Sequence, residues 1–307
     1  VAGLGAARLV SSHYSIIIKN ISQVFVAGPP VVNRLGETVT KESLGGSDIH
    51  GKNGAVDDVA KNEEEALTMV KKFLSYLPSS TYETPKKIDN KDPIHRSDDW
   101  LIKAIPKDRR QSYEIRPIIK SLTDKNSFFE IGKKWGTSSV SGLARLDGYP
   151  IVVLANDPQV YGGGWTADAS LKIIRIVELA ETFNLPILHL VDNPGFLVGT
   201  HAERQATIRH GARALAAIYQ LSDLSVVGGD GVVKVLVRDK KNETSNDFSI
   251  VVGETEGTFS FNFKVENIKI LPGNYSVVVS QKLLSRFTSK NQDLTYYIAL
   301  EPDSTFE

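Results

Sequence analysis

Between Ser141 and Tyr219, apolar runs of strand length alternate with amphipathic stretches of helical length, and few folds accommodate that rhythm. SGLARLDG and YPIVVLAN read as strands, 166–183 as a helix, PILHLVD as a buried strand and about 201–219 as another helix, with a shorter helix near 115–122 before them. Strands separated by helices of roughly 10 to 18 residues predict an α/β layer with partly parallel pairing. The rhythm stops inside HGARALAAIYQLSDLSVVGGDGVV. Beyond Gln220 come the short β-branched or aromatic runs LSVV, VVKVLVRD, DFSIVVG, TFSFNFKV, YSVVVS and LTYYIAL, cut by GGDG, KKNETSND, GETEG and PGNY. That pattern predicts an all-β or nearly all-β unit.

Upstream, SIIIKNI and VFVAG read as buried strands closed by a turn at Gly28, Pro29 and Pro30. Asn62 followed by Glu65 makes a capping-box-like start, after which Ala66, Leu67, Val70, Phe73, Leu74 and Leu77 share one helical face until Pro78. Residues 79–110 are polar and carry Pro85, Pro93 and Pro106, which predicts a linker or a surface-hugging excursion.

A chain of 307 residues can build one sizeable core or two compact units. Its 36 basic and 36 acidic residues give no global electrostatic reason to expect nucleic acid, a membrane surface or an acidic partner. No run approaches the roughly 18 apolar residues of a membrane span. The absence of cysteine excludes disulfides, thiolate metal sites and a Cys nucleophile; it permits a reducing, cytoplasmic setting. VAGLGAARLV has neither the basic nor the apolar region of a signal peptide and lacks an initiating Met, so a truncated beginning is expected. Six His without recurrent zinc spacing predict no metal site.

The chemistry concentrates in ANDPQVYGGGWTADASLKIIRIVELAETFNLPILHLVDNPGFLVGT. Gly162, Gly163 and Gly164 follow a strand and precede a helix whose first turn holds Thr166 and Asp168. Such glycines permit close backbone approach, and the N–H groups of a helix start attract an anion or a polarised carbonyl oxygen; tight strand-to-helix turns explain them equally well. The same two readings hold for Asn193, Pro194, Gly195 and Phe196. The triplet does not match a dinucleotide or P-loop fingerprint. Asp192, at the end of a buried strand, reads as an acid or base or, preferably, as the cap of the following turn. His189 reads as a satisfied core residue in preference to a ligand.

These residues carry a resemblance. FFEIGKKWGTSSVSGLARLDGYPIVVLAND, YGGGWTADA, LVDNPGFLVGT and IRHGARALAAIYQ resemble the C-terminal half of the carboxyltransferase subunit of biotin-dependent acyl-CoA carboxylases of propionyl-CoA and methylcrotonyl-CoA type. VAGLGAARLVSSHYSIIIK, FVAGPPVV and ESLGGSDIHGKNGAVDDVAKNEEEAL resemble the end of its N-terminal half. The resemblance implies a partial crotonase-like α/β spiral of ββα units. Residues 1–78 would end the N-terminal half, 79–110 would form a linker and 111–219 would begin the C-terminal half. It also implies carboxyl transfer from carboxybiotin, as co-substrate and not a bound cofactor, to an acyl-CoA, with backbone oxyanion holes stabilising enolate-like oxygens. A biotin carboxyl carrier domain and further copies of the chain in a homo-oligomer are the implied partners. By the same resemblance, Gly3 and Leu4 form the hole for the thioester oxygen. Asn156, Gly162, Gly163, Gly164 and Gly195 help shape a biotin pocket with Phe196. Two departures stand against full activity. The family's earlier strands, which supply much of the CoA site, are missing before Val1, and no equivalent of its second oxyanion hole follows Tyr219. GGDG there reads as a hairpin turn.

Residues 221–307 carry a different resemblance. FNFKVENIKILPGNYSVVVSQKLLSRF and LTYYIALEPDSTFE resemble the C-terminal end of the DNA polymerase sliding clamp of tailed bacteriophages, which implies a mostly antiparallel β unit. With 9 Lys/Arg against 12 Asp/Glu the segment is slightly acidic, so autonomous DNA binding is not expected, and Lys282, Arg286 and Lys290 read as a solvated rim. The combined expectation is a catalytically impaired carboxyltransferase fragment fused to a clamp tail. The alternatives are a clamp-related binding or scaffold protein that pairs with a phage clamp or polymerase, and a chimera in which neither part functions.

Overall fold

The computed structural model describes residues 1–221 except 94, 95, 97 and 109, and beyond Leu221 the backbone of six strands. The chain opens with α1 (Leu4–Val10), then β1 (Ile16–Ile18), the short turns α2 (Pro29–Val32), α3 (Lys41–Gly45) and α4 (Ser47–His50), and β2 (Asp58–Ala60), which pairs in parallel with β1. Ala6, Ile17, Val24 and Val56 close a small core among them. The strand expected at VFVAG is not formed. Phe25 makes one parallel bridge, to Ala2, while Val26 is 95% exposed. Gly28, Pro29 and Pro30 start α2 where a turn was expected, because a proline in the first helical turn loses no hydrogen bond.

Helix α5 (Glu63–Leu74) begins as its sequence predicts, with the Asn62 side chain accepting from Glu65 N at 2.8 Å. The Glu65 carboxylate reaches one residue further back than in a capping box, to Lys61 N at 2.6 Å. The expected apolar face is only partly used. Phe73, Tyr76 and Leu77 pack into the main core, whereas Leu67, Val70 and Leu74 remain exposed. Only the end of this helix reaches the sheet, so periodicity overstated the buried stripe. Residues 79–110 then run as a strap. Ile88 N donates to Gly148 O, Lys87 pairs with Asp147 at 2.8 Å, and Arg96 bonds Asp92, Asp98 and the carbonyls of Ser121 and Thr123.

After α6 (Ile115–Leu122) come β3 (Phe129–Ile131), β4 (Ser139–Leu146), β5 (Tyr149–Asn156), α7 (Ala167–Phe183), β6 (Ile187–Val191), α8 (Thr200–Arg204) and α9 (Thr207–Tyr219). The helix expected over 201–219 is therefore two helices, broken where Ala206 adopts a left-handed conformation at φ 52°. The strands β7 (Asp223–Gly228), β8 (Val232–Arg238), β9 (Ser245–Thr255) and β10 (Thr258–Lys264) follow, and β11 (Tyr275–Val279) pairs with β12 (Ile298–Pro302). The turns expected at residues 229–231, 240–244, 256–257 and 271–274, and the side chains of Lys282, Arg286 and Lys290, lie outside the described residues.

One eight-stranded sheet, in chain order from β3 to β10, forms the backbone of the fold. Its β3, β4 and β5 are antiparallel, β5, β6 and β7 are parallel, and β7 to β10 are antiparallel again. The two parallel steps need crossovers, which α7 and the α8–α9 pair supply. Both faces of the centre are covered, which explains why YPIVVLAN reads as a continuous apolar run. Val152 and Leu154 face Ile173, Ile176, Val177, Ala214 and Ile218 under α7 and α9. Ile151, Val153 and Ala155 face Ile115, Ile119 and Leu122 of α6. Among the described residues no helix is long and apolar enough to cross a membrane.

Candidate active site

The carboxyl ends of the adjacent parallel strands β5 and β6 release two loops, the usual place for a ligand crevice in an α/β sheet. The first runs from Asn156 through the glycine triplet to Thr166, whose hydroxyl caps α7 by accepting from Ala169 N at 3.0 Å. The second runs from Asp192 to Gly199. A two-stranded bridge joins them: Trp165 N donates to Gly195 O and Leu197 N to Trp165 O, both at 2.9 Å. The rings of Trp165 and Phe196 lie 6.2 Å apart between centroids, tilted by 52°.

Asn156 fixes the same junction from below. It is 2% exposed, donates through Nδ2 to Gly163 O at 2.9 Å and accepts at Oδ1 from Asp192 N at 3.3 Å. One amide thus measures the gap between both loops. Gly163 has no substitute there, because its φ is 80° and a Cβ would lie 2.7 Å from Asp192 O. Asn156, Gly163, Gly164, Gly195 and Phe196 are therefore brought together, with Gly162 at the outer turn of the first loop. Phe196 rests on α9, where Gly211 makes room for its ring.

Gly3 and Leu4 sit on a separate element, at the start of α1. Gly3 N already donates to the carbonyls of Phe25 and Val26, each at 3.1 Å. Asp192 does not cap its turn; Asn193 does, accepting from Gly195 N at 2.8 Å. Asp192 instead accepts from the Tyr113 hydroxyl at 2.7 Å, and burial together with this carboxylate raises the phenol above its ordinary pKa. His189 is a core residue, as expected, and burial lowers its imidazole to about 4. Among the described residues no group of acidic and His side chains could hold a metal.

Sequence reasoning passed over an ionic group beside the first loop. Arg116 of α6 binds Glu130 of β3 through two nitrogens and Asp157 at 2.5 Å, so its guanidinium stays charged. Glu114, Arg116, Lys133, Thr137, Asp157 and Gln159 line a cleft of about 370 Å³ there. A charge on an otherwise apolar helix face was the available signal, in IRPIIK for Arg116 and in SLKII for Lys172. A second cluster joins the N-terminal segment to α7. Asp57 accepts from Ser15 N, Ser15 Oγ and Arg175, and Arg175 also reaches Ser12 O. The neighbouring Asp58 accepts from Tyr14 OH at 2.9 Å and Gly132 N at 3.2 Å, and burial raises its carboxyl to about 7.

Residues 2–223 match the carboxyl transferase domain family, and the chain belongs to it. Residues 212–302 match the gp45 sliding clamp C-terminal family, so the two matches overlap at 212–223. The carboxyltransferase subunit of propionyl-CoA carboxylase from Haloferax mediterranei is 36% identical over 208 residues, 67% of this chain and 40% of that subunit. The alpha subunit of methylmalonyl-CoA decarboxylase from Veillonella parvula is 34% identical, over 67% and 41% of the two chains. The mitochondrial propionyl-CoA carboxylase beta chain of Homo sapiens is 34% identical, over 67% and 39%. The crystal structure of transcarboxylase 12S with hydrolysed methylmalonyl-coenzyme A superimposes with a TM-score of 0.71 at 30% identity, over 74% of this chain and 45% of that one. A single-chain, multi-domain long-chain acyl-CoA carboxylase gives 0.62 at 26% identity, over 74% and 22%. The α/β part thus has the crotonase-like fold of carboxyltransferases. The chain spans about 40% of the length of the curated relatives it matches.

Proposed function

We propose that this chain carries the carboxybiotin side of an acyl-CoA carboxyltransferase site. The observation that carries the reading is the bridge between Trp165 and Phe196, with Asn156 beneath it, which sets two glycine loops side by side at the ends of β5 and β6. In the proposed reaction the N1–carboxyl bond of carboxybiotin breaks and releases CO2. The biotin N1 takes the α-proton of the acyl thioester, and the enolate carbon forms the new C–C bond to CO2. Backbone N–H groups stabilise the transient oxyanions, so no side-chain nucleophile is needed. The relatives named for propionyl-CoA and methylmalonyl-CoA substrates support a short acyl-CoA as acceptor. A biotin carrier domain as donor and a homo-oligomeric, cytoplasmic enzyme go with this reading.

Transfer is proposed to be impaired. The thioester hole at Gly3 and Leu4 requires Gly3 N–H to exchange the Phe25 and Val26 carbonyls for the substrate oxygen. The segment after Tyr219 matches a clamp family where a carboxyltransferase would place its second hole. The purified chain is therefore expected to bind biotin while transferring little carboxylate from carboxybiotin to propionyl-CoA. Robust turnover would overturn the impairment, and absence of any biotin binding would overturn the site itself.

The clamp match over 212–302 favours a second reading, a scaffold that engages a phage clamp or polymerase. DNA-dependent co-purification with such a partner, lost on removing residues 221–307, is its expected result.

A further inference from the structure

Lys172 stands on the buried face of α7, between Ala169, Ile173 and Ile176, and is only 3% exposed. Its Nζ donates to four carbonyls of one loop: Gly132 at 3.1 Å, Trp135 at 3.0 Å, Gly136 at 3.4 Å and Ser139 at 2.5 Å. An ammonium has only three protons, so these oxygens surround it much as ligands surround a bound monovalent cation. The loop's own backbone bonds include Trp135 N to Gly132 O and Ser139 N to Gly136 O.

That loop meets the candidate site at two points. Ser138 O accepts from Asp157 N at 2.9 Å, one residue beyond Asn156. Gly136 lies so close to the first turn of α7 that a Cβ would fall 2.8 Å from Asp168 O. On its outer side the loop presents Lys133 and Thr137 to the cleft shared with Asp157 and Gln159.

We propose that Lys172 is a positioning residue for the carboxybiotin side of the site: by gathering four carbonyls around one ammonium, it sets residues 132–139 as the wall of the cleft beside the first glycine loop. This rests on the reading of the glycine loops given above.

Burial lowers the ammonium to about 8, while Glu130 of β3, Asp58 of β2 and Asp157 beyond β5 favour its charged form and Arg116 of α6 opposes it. His13, Asp57 and Arg175 share the small void beside it. Because burial depresses this base, the closed cage binds fewer protons than an opened one, so its closure is weakest below about pH 8 and gains as pH rises from there toward the ordinary lysine range.

Hydrogen exchange on the full chain, corrected for intrinsic rates, tests this at the amides of Trp135, Ser139 and Asp157. Their protection is expected to rise about tenfold between roughly pH 7 and pH 9, while the amide of Val153 in β5 stays protected at both. In Lys172→Met the three amides are expected to be weakly protected at both values, with the step gone. A flat wild-type profile, or wild-type protection in the variant, overturns the proposal. Should the variant fail to fold, the wild-type profile decides alone. Binding of biotin methyl ester at roughly pH 7, followed by ligand-detected NMR, is expected to be about tenfold weaker in Lys172→Met than in the wild type. Equal binding by the two proteins also overturns the proposal. If the wild type binds no biotin, the reading of the glycine loops fails, and exchange still decides the role of Lys172.

Discussion

Gly211 has the tightest side-chain restriction at the candidate site. A Cβ there would fall 2.1 Å from the Phe196 ring, in the interior of α9 where glycine costs about 1 kcal/mol relative to alanine. Gly211→Ala gains that propensity and must move the ring. Phe196 is 36% exposed, so the ring can swing outward, and the net change in stability is expected to stay within about 1 kcal/mol. The Trp165 indole resonance should nevertheless shift and biotin binding should fall; unchanged binding would show that the ring does not matter. Asp58 tests the electrostatics. Its carboxyl titrates near 7 in the folded protein, above its unfolded value, so its stabilising contribution is full below about pH 4 and is lost as pH rises through 7. Asp58→Asn is expected to match the wild type near pH 4 and to exceed it by about 2 to 4 kcal/mol near pH 8 in denaturant titrations. His189 has the opposite sign, since its folded value of about 4 is depressed: its contribution is present above about pH 6.5 and lost as pH falls through 4. Comparing variant with wild type at the same pH removes this opposing slope.

At the scale of elements, α7 organises the molecule. It starts at the Thr166 cap, crosses the sheet, and carries Arg175 to the N-terminal segment through Asp57, which is 5% exposed. Arg175→Met leaves that carboxylate buried with only Ser15 as a described partner, and a loss of about 3 kcal/mol is expected in thermal unfolding. Asp57→Asn added to it should recover part of the loss; no recovery would mean that packing, and not the charge pair, carries the effect. Elements such as α7 were legible in the sequence because a long apolar period, a Thr cap and a terminal Asn all agree. The strands β4, β5 and β6 were legible for a similar reason, being apolar runs between clear turns. VFVAG misled because a strand needs a partner backbone, and Phe25 finds only Ala2. The break at Ala206 carries no glycine or proline to announce it. At the site, the glycine loops were visible as glycines and Asn156 through the family resemblance, but the contacts by which side chains hold the loops were not. Asn156, Lys172 and Arg116 act on carbonyls and carboxylates distant in sequence, and local pattern does not encode those distances.

On the whole-molecule scale the change of pattern at Gln220 does not coincide with the end of the sheet. Strand β7 lies in parallel register with β6, from Ile187 opposite Leu224 to Val191 opposite Gly228, and β8 to β10 extend the same sheet. The family matches show the same sharing, since residues 212–223 belong to both. Whatever its ancestry, β7 occupies the edge that β6 would otherwise expose. An open edge beside the Leu188 and Leu190 core surface is a template for pairing with other chains. Ending the chain at Gln220 is therefore expected to lower the unfolding midpoint and to convert the protein, at equal concentration, into larger species in light scattering. Substituting Pro for Val226, opposite His189 in the register, should act in the same direction within the full chain, because proline removes a ladder donor from a central strand. If instead the shortened chain keeps the size and midpoint of the full one, β7 does not contribute to the stability of β6, and the two matched segments fold as separate units.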